Sequence, residues 1–146
     1  MSALRENKRM KISRTYPPNI EEIRKHFKIN DRVVFTYGDT IYNPGGGKIN
    51  QDLMEHERTH FVQQGNNVEG WWDKYIRDVS FRMSQELEAY KVQYNWFKEN
   101  KCLKPNGKTR HERLRKFLGR IARDFSSEVY GFSISFEEAK ILIKNS

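Results

Sequence analysis

Two histidines four residues apart, with a glutamate directly after the first, constrain this chain more than any other feature. His56, Glu57 and His60 lie in a segment without glycine or proline that is patterned as a helix over 50–64 and is followed by Gly65. Residues four apart on a helix project from the same face, so the two imidazoles stand side by side. Glu57 follows His56 about 100° around the helix. The sequence therefore predicts a helix that presents two imidazoles and a carboxylate to a neighbouring element.

This arrangement is the H-E-x-x-H pattern, in which two imidazoles on a helix bind zinc and the glutamate acts as general base. Zinc accepts histidine nitrogens at about 2.0–2.1 Å, and a catalytic site has three protein ligands and one position left for water. A third ligand must therefore come from another element. The alternative is that two surface histidines merely lie on a solvated helix face.

The next long helix, predicted over 80–100, offers Glu86 and Glu88 as the third ligand. Its inward seam is marked by residues at spacings of four and three: Met83, Leu87, Tyr90, Tyr94 and Phe97. Glu86 lies about 60° from the centre of this seam, whereas Glu88 lies about 140° away and faces water. A buried acid is costly unless a cation or hydrogen bonds compensate for it. We therefore expect Glu86 to complete a site for one Zn²⁺ per chain. The alternative is an ion pair between Glu86 and Arg82.

The remaining sequence predicts an α+β fold, mostly helical, in a single domain over 1–146. Residues 33–42 are rich in β-branched and aromatic side chains, which predicts an edge strand with a Gly-Asp turn or bulge inside it. Residues 1–15 are a basic N-terminal arm or edge segment, and 109–145 are patterned as basic C-terminal helices. A short β-sheet or hairpin is thus expected before the helix that carries the histidines.

The motif and its surroundings resemble the gluzincins, and in particular small metallopeptidases of bacteria and their phages. The resemblance covers 33–97 and includes the run from Phe35 to Tyr42, then Gln63 and Gln64, then Glu86, Ala89, Tyr90 and Gln93. It implies a zincin-like domain in which both histidines and Glu86 bind zinc, Glu57 is base and proton shuttle, and the 33–42 strand aligns a peptide. Tyr90 stands where many relatives carry an aspartate that orients a ligand histidine. A phenol could orient a ligand or stabilise an oxyanion instead.

The reaction expected from these residues is hydrolysis of a peptide or protein substrate. Glu57 would take a proton from zinc-activated water, and zinc with Tyr90 or Arg82 would balance the developing oxyanion. The predicted substrate contacts come from the strand and from the connection between the two helices: Phe35, Tyr37, Trp71 and Trp72. For the two tryptophans, burial in the core or in a lid is the favoured alternative.

Composition limits the core and excludes several classes of protein. Hydrophobic residues make up 36% of the 146 residues and nineteen residues are aromatic, so aromatic side chains must supply much of the core. The one cysteine, Cys102, excludes an intramolecular disulfide and a four-cysteine zinc site. No stretch approaches the roughly 18 apolar residues of a membrane span, and no secretory signal is visible. We therefore expect a cytoplasmic or virion-associated protein without a membrane partner.

A formal net charge of +8 points to a further anionic partner. Most of this excess lies in 98–124, where ten Lys or Arg residues accompany three acidic residues. A solvated helix face is the favoured interpretation of this stretch, and nucleic-acid binding is the less favoured one. The alternative to a peptidase is therefore a non-enzymatic phage or virion protein. It would be structural or nucleic-acid-binding, with a basic surface and a structural or vestigial zinc site.

Overall fold

Helices dominate the chain, and a small sheet lies in its first third. The computed structural model describes residues 9–102 and 107–145, with side chains described at all of these positions except 107–109. The elements in chain order are β1 (Lys11–Ser13), α1 (Ile20–His26), β2 (Phe35–Tyr37), β3 (Thr40–Tyr42), α2 (Gln51–Gln64), α3 (Val68–Arg77), α4 (Val79–Lys101), α5 (Gly107–Phe125) and α6 (Phe136–Lys144). This order confirms the predicted α+β, mostly helical fold with a hairpin before the histidine-bearing helix.

The sheet has three strands in the order β1-β3-β2. β2 and β3 pair antiparallel and β1 pairs parallel with β3. The segment 33–42, predicted as one edge strand, is therefore a hairpin in which β3 is central and only β2 lies at an edge. The chain reverses at Gly38, whose φ of +61° is readily adopted by glycine. Of the predicted arm 1–15, the part from residue 11 to residue 13 forms the other edge, and residues 1–8 lie outside the described residues.

The two helices on which the site depends lie where the sequence predicts them. α2 and α4 agree within one residue with the predicted helices 50–64 and 80–100. The predicted connection through Trp71 and Trp72 is wrong, because those residues belong to α3. This helix begins after Asn67, whose side chain accepts a hydrogen bond from the Gly70 N–H. The basic segment 109–145 contains α6 and all but the first turn of α5.

Packing places α4 at the centre of the molecule. Its inward seam contributes Tyr90 and Tyr94 to an apolar cluster with α5 and α6, as the seam prediction requires. A second, aromatic cluster joins α1, β2 and α3, and Phe61 of α2 packs on Ile41 of the sheet. α2 therefore lies between the sheet and α4, with α3 beside both. No helix among the described residues has the length and apolar character needed to cross a membrane.

Candidate metal centre

Three side chains that could ligate a metal converge where α2 faces α4. The candidate ligand atoms of His56, His60 and Glu86 all lie within 4.8 Å of one another. Nε2 of His56 is 3.1 Å from Oε1 of Glu86, and Nε2 of His60 is 3.3 Å from Oε2 of the same carboxylate. The three residues are 3%, 5% and 4% exposed, respectively. The structure thus brings together the three predicted ligands, whereas Glu88 is exposed and contacts Gln63 of α2 instead.

The spacing of these atoms suits a small tetrahedral cation. With bonds of about 2.0–2.1 Å, two ligand atoms of a tetrahedral zinc site lie about 3.3–3.4 Å apart. The two nitrogen-to-oxygen distances in the cluster are 3.1 and 3.3 Å, so shifts of a few tenths of an ångström would admit an ion. The imidazole rings are 4.9 Å apart and nearly perpendicular. Both Nε2 atoms therefore approach the same carboxylate without stacking of the rings.

A hydrogen bond from the far side fixes the tautomer of His56. Its Nδ1 lies 2.9 Å from Oε1 of Gln93, and the Gln93 amide donates to Oδ2 of Asp52 at 2.8 Å. Because Asp52 can only accept, the Gln93 amide must point its oxygen at His56, and Nδ1 must carry the proton. The neutral ring then presents the lone pair of Nε2 to the cluster. Arg120 completes the chain of contacts, 3.6 Å from the same Asp52 oxygen.

His60 is oriented by an equivalent contact. Its Nδ1 lies 2.8 Å from Oε1 of Gln63. The Gln63 amide nitrogen donates to the backbone carbonyl of Gln85 at 2.9 Å and to the Glu88 carboxylate at 2.8 Å, and both of these groups only accept. The Gln63 oxygen therefore faces His60, which leaves Nε2 of that ring free for a metal. Such outer contacts fix the orientation of metal-binding histidines.

The electrostatics of the cluster call for a cation. Burial alone would raise the pKa of the Glu86 carboxyl, but His60 and His56 hold that pKa well below its usual range. Burial also opposes a charge on His60, yet Glu86 and Glu57 raise the pKa of His60 to about 9. Without a metal, a proton on His60 therefore compensates the buried carboxylate. A divalent cation can take the place of that proton.

Tyr75 of α3 is a partner of the third ligand that the sequence prediction missed. Its hydroxyl donates to Oε2 of Glu86 at 2.5 Å. Burial first, and then the Glu86 charge, raises the pKa of Tyr75 well above its usual value, so the phenol stays a neutral donor. The Glu86 carboxylate is thus held from the side opposite its own helix. Tyr75 follows Trp71 by four residues, a signal that is visible only when α3 is recognised as a helix.

Glu57 lies beside the cluster rather than in it. Its Oε2 is 3.8 Å from Nε2 of His56, and its Oε1 accepts a hydrogen bond of 2.8 Å from the hydroxyl of Thr36 on β2. The residue is only 5% exposed. One carboxylate oxygen is therefore held by the sheet while the other faces the ligand nitrogen. Thr36 was not predicted as a site residue, because a threonine in a strand carries no signal beyond β propensity.

A cavity of about 360 Å³ adjoins the cluster, and its described lining includes three exposed residues, Asn30, Arg32 and Asp124. Its walls include both histidines, Glu57, Glu86 and Tyr90, together with three of the four predicted substrate contacts: Phe35, Trp71 and Trp72. The two tryptophans are also largely buried, so they serve as core and as wall. Tyr37 does not line the cavity and packs against the aromatic cluster instead. Tyr37 follows Phe35 by two residues in β2, which places it about 6–7 Å further along the strand.

Tyr90, predicted to assist catalysis, is both a wall and a hydrogen-bonding partner. Its ring packs edge-on against His56 with 4.4 Å between ring centroids, and its hydroxyl lies 2.8 Å from that of Tyr130. Burial and the Glu86 charge raise the pKa of both tyrosines well above the usual value. Both phenols are therefore neutral at ordinary pH. The hydrogen bond that orients His56 comes from Gln93 and not from Tyr90.

Arg82 supports the backbone rather than the metal cluster. Its guanidinium donates to the carbonyl oxygens of Tyr75 and Ile76 at the end of α3, and to that of Tyr130. No ion pair joins it to Glu86 among the described residues. The alternative that Glu86 pairs with Arg82 is therefore wrong, and nothing in these contacts supports Arg82 as an oxyanion partner. The guanidinium instead satisfies carbonyl oxygens in the last turn of α3, which have no partner within that helix.

The edge of β2 is partly occupied by side chains. The carbonyl of Thr36 accepts hydrogen bonds from Gln64 at 2.7 Å and from the Trp72 indole at 3.1 Å. The N–H of Gly38 donates to the Gln64 side chain at 2.7 Å. A peptide could pair with these backbone groups of Thr36 and Gly38 only if the side-chain hydrogen bonds were broken.

Three comparisons with known proteins add no relative to this picture. No family model, no curated protein and no solved structure matches the chain. The geometry and chemistry of the site are therefore the grounds on which a function can be assigned, as they are for any fold.

Proposed function

We propose that this protein is a zinc-dependent metallopeptidase of the gluzincin type. The observation that carries the proposal is the convergence of His56, His60 and Glu86 within 4.8 Å, next to the Glu57 carboxylate and a cavity. Two imidazoles and one carboxylate form a set of three protein ligands of the kind found in catalytic zinc sites. A structural zinc site more often uses four protein ligands, and no fourth His, Cys, Asp or Glu belongs to this cluster among the described residues.

The donor set favours zinc over the harder divalent cations. Ca²⁺ and Mg²⁺ prefer six or more oxygen ligands, whereas two of the three donors here are imidazole nitrogens. Both imidazoles direct Nδ1 at a glutamine oxygen, so a metal that displaces the Nε2 proton meets a lone pair aimed at the cluster. Imidazole nitrogens oriented in this way support binding of a borderline metal such as zinc.

The chain's own residues supply the proton transfers of peptide hydrolysis. When bound, zinc supplies Lewis acidity, which polarises the scissile carbonyl and lowers the pKa of an adjacent water molecule. Glu57 accepts the water proton at Oε2 and delivers it to the leaving amine, while Thr36 holds Oε1 in place. Tyr90 and Tyr130 remain protonated and line the same cavity, and whichever hydroxyl accepts in their mutual hydrogen bond keeps its own proton to donate to the oxyanion.

The cavity fits a peptide with an apolar side chain next to the scissile bond. Beyond the polar cluster the walls of the cavity are mainly hydrophobic. The apolar lining residues come from α1 and the residue after it, from the strand segment and from α2: Ile23, Phe27, Val33, Phe35 and Leu53. An apolar side chain removed from water here gains roughly 25 cal/mol per Å² buried. A peptide with leucine or phenylalanine at one side of the bond is therefore the substrate to test first.

Zinc analysis and peptide cleavage together test the proposal. We expect one zinc per chain in purified protein, and cleavage of a mixed-sequence peptide library that stops on chelation. Glu57→Gln should retain zinc but lose at least about 100-fold in kcat, which is the range for loss of a general base. Glu99→Gln is the matched control, because it removes one carboxylate from an exposed position of α4 that lines neither the cavity nor the cluster. It should cleave like the unmodified protein.

Two outcomes would contradict the proposal. Protein that binds no zinc even after refolding with it would remove the metal from the reaction. Zinc that is bound at one per chain, and required for folding, in a protein that cleaves no library peptide would favour the alternative of a structural zinc site. Zinc analysis itself separates these two cases, and loss of a bound zinc in His60→Ala checks that the zinc occupies this cluster.

A further inference from the structure

A second cavity of about 360 Å³ lies at the other end of α4 from Arg82. Four cationic residues line it, namely Lys48, Lys101, Arg113 and Arg120. We call this the basic cavity. We propose that it binds single-stranded nucleic acid, with backbone phosphates against the four cations and a base against Trp96, which lies in the same wall.

The described residues that line the basic cavity carry more positive than negative charge. Among the described residues that line it, Asp52 is the only acidic one, so these residues carry a formal excess of three positive charges. The Asp52 carboxylate already accepts a hydrogen bond from Gln93 and lies 3.6 Å from Arg120. Lys48, Lys101 and Arg113 have no carboxylate partner among the described lining residues. Groups of this sign in a concave site attract phosphates most strongly.

A stripe of cations on α5 extends the basic cavity beyond its rim. Arg113, Lys116, Arg120 and Arg123 are exposed and recur at spacings of three and four, which places them on one helix face. At 1.5 Å per residue, the stripe from Arg113 to Arg123 is about 15 Å long. One phosphate would reach only part of this length. A polymer with successive phosphates along one strand uses all of it, which favours nucleic acid over a small anion.

The aromatic residues that line the basic cavity favour single-stranded nucleic acid over a duplex. Trp96 is half-buried, with the Lys101 ammonium 6.0 Å from its ring centroid, and Phe97 lies next to it in the lining. Base stacking on an aromatic side chain contributes about 1–3 kcal/mol per base and does not depend on sequence. A base can enter a cavity of this size only when it is unpaired, so a duplex would meet the cations but not the tryptophan.

The basic cavity is separate from the metal centre. The described lining residues of the two cavities do not overlap, and Trp96 lies ten residues along α4 from Glu86, about 15 Å at the helical rise. The link between them is the hydrogen-bond chain from Asp52 through Gln93 to His56. Nucleic-acid binding therefore does not depend on the proposed peptidase activity. It would place the peptidase on a nucleic acid and select its substrates by location.

The test is fluorescence anisotropy with the zinc-loaded protein and a fluorescein-labelled oligothymidylate of about 16 nucleotides. Phosphate contacts at six cations, the four of the cavity and Lys116 and Arg123 of the stripe, predict a slope of log Kd against log salt of about 4.2, or about 300-fold weaker binding from 50 to 200 mM salt. The double variant Lys48→Ser/Arg113→Ser should lower the slope to about 2.8, or about 50-fold over the same range. Trp96→Ala should weaken binding at least about fivefold, and Trp96→Phe should restore most of it.

The matched control is Lys25→Ser/Lys28→Ser, which removes two exposed cations from α1 and the residues after it. An equal loss of slope in this control would overturn the proposal, because net charge alone would then explain binding. Duplex DNA that competes better than the single strand per phosphate, or inorganic phosphate that displaces the oligonucleotide at equal phosphate concentration, would also overturn it. Glu57→Gln should bind the oligonucleotide like the unmodified protein, so failure of the peptidase proposal leaves this test intact.

Discussion

Replacing Gln93 with leucine tests whether a single hydrogen bond prepares His56 for metal. Gln93 is 4% exposed, accepts from Nδ1 of His56 at 2.9 Å and donates to Asp52 at 2.8 Å. Leucine fills a similar volume but makes neither bond. The neutral imidazole can then place its proton on Nε2, the ligand nitrogen, which competes with the metal. Loss of such a partner typically weakens metal binding about 10–100-fold, or about 1.4–2.7 kcal/mol.

The same substitution also costs stability, and the two effects can be separated. Asp52 would remain buried with Arg120, 3.6 Å away, as its remaining described partner. A buried acceptor that loses its donor costs about 1–3 kcal/mol. This second cost appears in the free energy of unfolding of the metal-free protein, whereas the first appears only in zinc affinity. Urea unfolding without zinc therefore measures one, and chelator competition at fixed pH measures the other.

Two variants complete the measurement. Gln93→Glu keeps an oxygen for Nδ1 of His56, so it should recover most of the zinc affinity while destabilising the metal-free protein through its approach to Asp52. Gln51→Leu is the control, since Gln51 is exposed and its described side-chain bond goes only to Glu55. Unchanged zinc affinity in folded Gln93→Leu would refute the reasoning, because the Nδ1 bond would then have no influence on the ligand nitrogen.

Two further predictions concern pH and a backbone position. The folded pKa of His60 is raised from 6.5 to about 9, chiefly because Glu86 outweighs the opposing effect of burial. The stability that this proton contributes to the metal-free protein is therefore full below about pH 6.5 and is lost as pH rises through 9. Over the same pH window the apparent zinc affinity, measured by chelator competition, rises up to about tenfold per pH unit. A flat affinity profile would contradict this. Gly65 has φ +54° and open space around it, so Gly65→Ala should lower the free energy of unfolding by about 1–3 kcal/mol. Gly47→Ala, equally open but without positive φ, should change it by less than about 1 kcal/mol in urea unfolding.

The ligand set could be predicted from the sequence because helical periodicity alone determines which residues face inward. His56 and His60 share a face by spacing, and Glu86 was distinguished from Glu88 by its angle to the seam of α4. Both deductions need only the regular geometry of a helix. The helix limits also followed from local signals, since Gly65 ends α2 with a backbone conformation suited to glycine.

The orienting residues could not be derived in the same way, because their partners come from distant parts of the chain. Tyr75 contacts Glu86 only because α3 packs beside α4, and α3 itself was taken for a connection near Gly65 and Gly70. Thr36 reaches Glu57 only because the hairpin lies against α2. In each case the contact is tertiary, and no spacing within the sequence encodes it. The sheet order failed for the same reason, since β1 joins β3 across nearly thirty residues.

A metal at the candidate centre would stabilise the packing of α2 against α4 in a chain with only 36% hydrophobic residues. The buried polar residues on these two helices include Asp52, both histidines, Glu57, Gln64, Glu86 and Gln93. Such an interface gains little from apolar burial and is stable only if every polar group has a partner. The hydrogen bonds of Gln63, Gln93 and Tyr75 supply most of those partners, and the Glu86 charge still requires a cation. A ligand that binds only the folded state adds RT ln(1 + [L]/Kd), about 4 kcal/mol at 1,000 times Kd. Zinc binding would therefore be part of folding in this protein, and the residues that orient the ligands would contribute to stability and to chemistry through the same contacts.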